Sequence, residues 1–167
     1  MTHIAILQAL KAARRFDELD RIQAAVTAML GRDLMPDEEH PGAEIETAVL
    51  TRAAEGHATA SDRRCCECGK RCVAVTTARI TVDLCLACRG LWFDAGELRQ
   101  FTGVSGDELP GARYHTRASR YACPVCASAM RCCQYRVPHP VVLDYCPEGC
   151  GIYCEAGEFA RVLDIEA

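Results

Sequence analysis

From Phe16 the chain places apolar residues at helical intervals. Leu19, Ile22, Val26, Met29 and Leu30 form one stripe, and Gly31 is placed to end it. The earlier apolar residues, Ile4, Ile6, Leu7 and Leu10, mark a different face. The helix expected over residues 3–30 is therefore broken, or buried on two sides, between Arg14 and Asp17. A connector with Pro36 and Pro41 leads to a second expected helix over Ala43 to Glu55, with Ile45, Val49, Leu50 and Ala53 along one side. Past His57 to Arg64, a polar and small-residue stretch read as a linker, the period changes from helical to alternating. Val73, Val75, Ile80, Val82 and Leu84 alternate with polar residues, which predicts a hairpin turning near Thr77 to Arg79. A second hairpin is expected from Arg131–Arg136 and Val141–Tyr145, turning through Val137-Pro-His-Pro140.

Both hairpins lie inside a repeat. Cys85-Leu-Ala-Cys88-Arg-Gly-Leu-Trp-Phe-Asp-Ala-Gly-Glu-Leu98 is echoed by Cys146-Pro-Glu-Gly-Cys150-Gly-Ile-Tyr-Cys154-Glu-Ala-Gly-Glu-Phe159. Cys85 to Gly96 and Cys146 to Gly157 both span eleven residues, so the extra residue before Cys150 is offset by one fewer after it. The chain thus divides into a helical segment 1–56, a linker 57–64, a first unit 65–101, a connector 102–122 and a second unit 123–167.

All 13 cysteines fall within the two units, between Cys65 and Cys154. No apolar run is long enough for a membrane span and the N-terminus lacks a signal-peptide pattern, so a cytoplasmic protein is expected. In that reducing compartment, cysteine density points to metal rather than to disulfides. The first unit offers Cys65-x2-Cys68 and Cys85-x2-Cys88; the second offers Cys123-x2-Cys126 and Cys146-x3-Cys150. Such spacing lets a tight turn aim two sulfurs at one ion, and a hairpin brings back a second pair to complete a tetrahedron. Two Zn2+ ions per chain are expected, and their binding energy would stabilise units too small for a sufficient apolar core.

The remaining cysteines are Cys66, Cys72, Cys132, Cys133 and Cys154. Cys72 aligns with Met130, which marks a buried slot. Of Cys132 and Cys133 on one strand, the outward one is the better candidate for a reactive thiol. Asp94-Ala-Gly-Glu97 and Glu155-Ala-Gly-Glu158 have the look of catalytic carboxylate pairs, but a capping-box start to a short helix is the better account. No nucleophile or histidine accompanies them, so no catalytic residue is assigned and an enzyme is not expected. Trp92 and Tyr153 are assigned to the apolar body of their own units.

These residues reach a known family. Cys65, Cys68, Cys85, Cys88, Gly90, Trp92, Asp94, Gly96, Glu97 and Leu98 closely resemble the bacterial zinc-ribbon family named for the zinc finger of transcription factor IIB. Cys123, Pro124, Cys126, Cys146, Pro147, Cys150, Gly151, Gly157 and Glu158 resemble a second copy, with Cys150 similar to a histidine that some members carry there. The resemblance implies zinc, a ribbon fold and a small interaction module. The fold class expected is a small metal-stabilised α+β protein: two tandem zinc ribbons, each a β-hairpin plus short helix, preceded by an α-helical N-terminal segment.

Charge narrows the function. Residues 1–60 carry six basic and ten acidic side chains, and the whole chain has a formal net charge of −4. A bulk pull toward nucleic acid is not supported. The run Arg113, Arg117, Arg120, Arg131 and Arg136 keeps nucleic-acid binding as the alternative to protein binding. A rubredoxin-like iron site or a thiol redox switch is the alternative from another class. The Phe16–Leu30 stripe needs a partner, met by a homodimer or by Ala43–Glu55 folding back onto it.

Overall fold

The structure, a computed structural model, describes residues 42–76, 80–102, 113–135 and 141–166. The expected helix over residues 3–30, its apolar stripe and both hairpin turns lie outside them. The described chain begins with α1 (Gly42–Ala54) and β1 (Ala58–Arg64). There follow β2 (Arg71–Thr76), β3 (Thr81–Leu84), β4 (Leu91–Asp94) and the short α2 (Arg99–Thr102). The second half repeats this order as β5 (Arg113–Ala122), β6 (Ala129–Tyr135), β7 (Val141–Tyr145), β8 (Gly151–Cys154) and α3 (Glu158–Glu166).

The expected α+β class, with an N-terminal helical segment ahead of two tandem hairpin-plus-helix units, is overturned by a mostly antiparallel sheet. All eight strands form one antiparallel sheet in the order β1-β2-β3-β4-β8-β7-β6-β5. Each half contributes four strands rather than two. The stretch read as a linker, residues 57–64, contains β1, and the connector 102–122 contains β5. Both are outer strands, where one side meets water, so their polar, small-residue sequences give no clean alternation. Between the halves β4 and β8 pair, with Trp92 opposite Tyr153, Leu91 opposite Cys154 and Phe93 opposite Ile152. In the repeat Trp92 is equivalent to Tyr153, and Leu91 to Ile152. The two strands therefore meet about a local two-fold axis at the Trp92–Tyr153 pair.

Alternation along these strands sorts side chains to two faces. Leu91, Phe93, Ile152 and Cys154 join Val75, Val82, Leu84, Tyr135 and Leu143 in the main core. Val49 of α1 and Phe159 and Val162 of α3 cover that face. Phe93 and Phe159, from different halves, stack with centroids 4.9 Å apart. Trp92 and Tyr153 go to the opposite face, with Tyr121, Met130, Cys72 and cysteines of both units. The halves therefore share both cores.

Candidate metal centres

Each cysteine pair sits where a strand ends and the chain turns back. The N–H of Cys65 donates to Lys70 O at 2.8 Å, that of Cys85 to Gly90 O at 2.9 Å, and that of Cys123 to Ser128 O at 2.9 Å. Inside each turn the residue after the second cysteine takes a left-handed backbone: Gly69 at φ 68°, Arg89 at 64°, Ala127 at 60°. The fourth turn keeps the outer bond, Cys146 N–H to Gly151 O at 3.0 Å. Within it the left-handed residue is Gly149, one position earlier relative to its first cysteine, at φ 77°. The frame of the turn is thus retained while its second sulfur moves one residue along, to Cys150.

The eight sequence-assigned cysteines come together as two groups, Cys65/Cys68/Cys85/Cys88 and Cys123/Cys126/Cys146/Cys150, with all sulfurs of a group within 4.8 Å of one another. Cys65 Sγ lies 3.4 Å from Cys88 Sγ, Cys68 Sγ 3.4 Å from Cys85 Sγ, and Cys126 Sγ 3.5 Å from Cys146 Sγ. A tetrahedron of Zn–S bonds near 2.3 Å has edges of about 3.8 Å, so both groups could hold an ion with small adjustment. In each group the first and third cysteines are buried and the second is exposed. Hydrogen bonds from the Ser128 side chain and backbone bring Cys126 down to about 6. Burial pushes Cys85 up, but the backbone N–H groups of Cys88 and Ala87 outweigh it and leave it at about 7. Burial beside neighbouring sulfurs holds Cys88 well above the ordinary thiol range. Four crowded thiols cannot all ionise by themselves; a divalent cation would supply the missing charge.

The five other cysteines are set apart. Burial, then the neighbouring Cys65, pushes Cys66 up to about 12, and burial does the same for Cys72. Cys72 and Met130 do share a buried cluster. Cys133 and Cys154 lie in the main core. Cys132 faces the other way but is not outward: it is 6% exposed. Its sulfur accepts from Arg117 Nε at 3.3 Å and faces Ala118 O at 3.7 Å. The adjoining cleft of about 380 Å³ sets Arg117 and Arg120 against Asp144 and Glu155, so it favours neither sign of ligand.

The Gly-Glu phrases form half of the expected capping box. Glu97 Oε2 accepts the Asp94 N–H and Glu158 Oε2 accepts the Glu155 N–H, both at 2.8 Å. The first acid of each phrase, however, leaves the helix for the strand before its own unit. Asp94 accepts from Arg63 at 2.6 Å and from Trp92 Nε1 at 2.8 Å, while Arg63 also holds Asp83 at 2.6 Å. Glu155 accepts from Tyr121 Oη at 2.6 Å and Arg120 at 2.9 Å. Sequence reading missed Arg63 and Tyr121, though a signal was present. Ser61-x-Arg63 and Ser119-x-Tyr121 both start four residues before a unit's first cysteine, and each serine oxygen accepts the N–H two residues on.

Trp92 and Tyr153 do not stay in their own units. The Tyr153 ring lies over Gly90 of the first ribbon, where a Cβ would meet its hydroxyl at 2.1 Å. The Trp92 ring lies over Gly151 of the second, where a Cβ would meet it at 2.8 Å. Each glycine makes room for the other half's aromatic.

Closed groups of four thiols, carried on turns at the ends of short antiparallel strands, define a zinc ribbon, and the chain has two such groups. Residues 64–102 match the family model for the transcription factor zinc-finger, the ribbon type of transcription factor IIB, so that segment is similar to the ribbons of this family. The second group, within residues 123–150, is consistent with a second ribbon. No curated protein and no solved structure matches the chain. Among the described residues, no helix is long and apolar enough to cross a membrane.

Proposed function

We propose that this is a non-enzymatic zinc-binding interaction protein, holding one Zn2+ in each four-cysteine group and using the braced sheet to bind another protein. The observation that carries the reading is the closure of both donor sets. Each supplies four sulfurs from the chain itself, whereas catalytic zinc sites keep a position open for water or substrate. A reducing cytoplasm, where thiols stay available to metal, is part of the reading. Leu86 and Val125, both on cysteine turns, are the large apolar side chains left exposed among the described residues, at 62% and 51%. They are the first contacts to test. Arg117 and Arg120, central to the nucleic-acid alternative, are engaged by Cys132, Tyr121 and Glu155, which weakens that alternative. A transcriptional setting rests on the family name alone. Pairing of two chains through the Phe16–Leu30 stripe is part of the proposal.

The test joins metal analysis to capture from the native host. Two zincs per chain are expected; red, iron-loaded protein would instead favour electron transfer. A captured partner should survive nuclease treatment and be lost with Leu86→Asp or Val125→Asp. Repeating the capture without residues 1–41 tells whether the partner's site lies in those residues or in the remainder, which keeps α1 and the sheet intact.

A further inference from the structure

Tyr153 belongs to β8 of the second half, yet its phenol oxygen serves the first half's sulfurs. It stands 3.5 Å from Cys65 Sγ, 3.8 Å from Cys88 Sγ and 3.2 Å from Glu67 Oε2. The residue is 1% exposed and fills the space beside Gly90, so the hydroxyl is held in place. Its counterpart behaves differently. Trp92 sends its Nε1–H to Asp94, not to the sulfurs of the second group.

When the four sulfurs hold a cation as thiolates they have no proton to give, so the phenol must be the donor. A hydrogen bond to a metal-bound thiolate fixes the ligand's direction and draws charge from a crowded anionic group. Glu67 competes for the same proton, but it is exposed and water can satisfy it; the buried Cys65 sulfur has no such recourse. We infer that Tyr153 is a positioning residue for the first metal group. The second ribbon steadies the metal of the first, and Trp92 does not return the service. The inference rests on the metal-binding reading above.

The test uses the full chain loaded with cobalt(II), whose thiolate-to-metal charge-transfer bands report the sulfurs directly. Metal content of the native chain comes first: a chain that takes up no metal sinks both the reading and the inference. In Tyr153→Phe, part of the charge-transfer band should move to lower energy, since a thiolate without its hydrogen bond gives up charge more easily. One of the two ions should pass to a competing chelator about tenfold faster, the lower end of the usual effect of such partners. The other ion's release should not change. Trp92→Phe, which removes a donor aimed away from the sulfurs, should leave the band in place. An unshifted band with both release rates unchanged in Tyr153→Phe overturns the inference. Equal acceleration of both ions overturns it too, because general loosening would do that. Should Tyr153→Phe fail to fold, the native chain made with ring-fluorinated tyrosine, a stronger donor, should shift the band to higher energy. No shift there is equally fatal.

Discussion

A methyl group added at Gly151 tests the junction between the two halves. The new Cβ would lie 2.1 Å from the carbonyl oxygen of Phe93 and 2.8 Å from the Trp92 ring, with φ at +157°. The near atom is backbone, so no side chain can swing aside. Reaching even 3.0 Å requires β4 and β8 to part by about 0.9 Å beside the Asp94–Gly151 pair. A ladder bond near 2.9 Å would then stretch to about 3.8 Å, beyond hydrogen-bonding range. Losing about two such bonds costs on the order of 2 kcal/mol, and overpacking with positive-φ strain adds about 1–2 more. At roughly 2–4 °C per kcal/mol for a chain of this size, Gly151→Ala should melt on the order of 10 °C lower. The control is Gly149→Ala in the same turn, at φ +77° with nothing within 4 Å. It pays only the backbone strain, about 1 kcal/mol or a few degrees. The assay is thermal unfolding by circular dichroism at a fixed free-metal concentration, because bound metal itself raises the midpoint. Equal melting points for the two variants would refute the close β4–β8 approach.

Other outcomes follow from single contacts. Arg63→Ala leaves the buried Asp83 and the Asp94 carboxylate without their shared cation and should cost about 2–3 kcal/mol in urea unfolding, with Asp94→Asn costing less. Ala127 holds φ 60° without being glycine, so Ala127→Gly should raise stability by about 0.5–1 kcal/mol, the relief of strain less the entropy of glycine. Burial, and then the nearby Glu155 carboxylate, pushes Glu158 up to about 7. A raised carboxyl favours the fold below its unfolded value of about 4.5, and that contribution is lost as pH rises through about 7. Glu158→Gln should therefore gain on the native chain in urea midpoint as pH goes from about 5.5 to about 8; a constant difference would count against the buried carboxyl. Cys88→Ser should perturb amide shifts on both sides of the β4–β8 seam, whereas changes confined to residues 65–101 would mean the halves fold independently.

The cysteine turns were legible because metal chemistry fixes spacing: two residues between thiols, then a hairpin return, is a geometric demand that survives in sequence. The hairpin strands β2, β3, β6 and β7 were legible for a similar reason, since Val73 to Leu84 and Val141 to Tyr145 have faces to bury. The joining of the halves was not. Leu91-Trp-Phe-Asp94 and Gly151-Ile-Tyr-Cys154 are short apolar runs with both faces covered, and such runs carry no period. Trp92 and Tyr153 were rightly placed as equivalents but each was confined to its own half, because equivalence in a repeat cannot say that a ring also reaches across the boundary. Asp94 was read as a helix cap from its spacing to Glu97, and Arg63, thirty-one residues earlier, outcompeted the helix for its carboxylate.

The local two-fold at Trp92 and Tyr153 has a bearing on how the chain can change over generations. When two copies of one ribbon meet on an axis, every substitution at the seam enters twice, and a residue that suits one side must suit the other. Joined in a single polypeptide, the halves escape that rule. One side can carry a phenol where the other carries an indole, or place a sulfur one residue along, without the other having to follow. A two-fold seam inside one polypeptide is thereby a place where two sites in one molecule can drift toward different tasks.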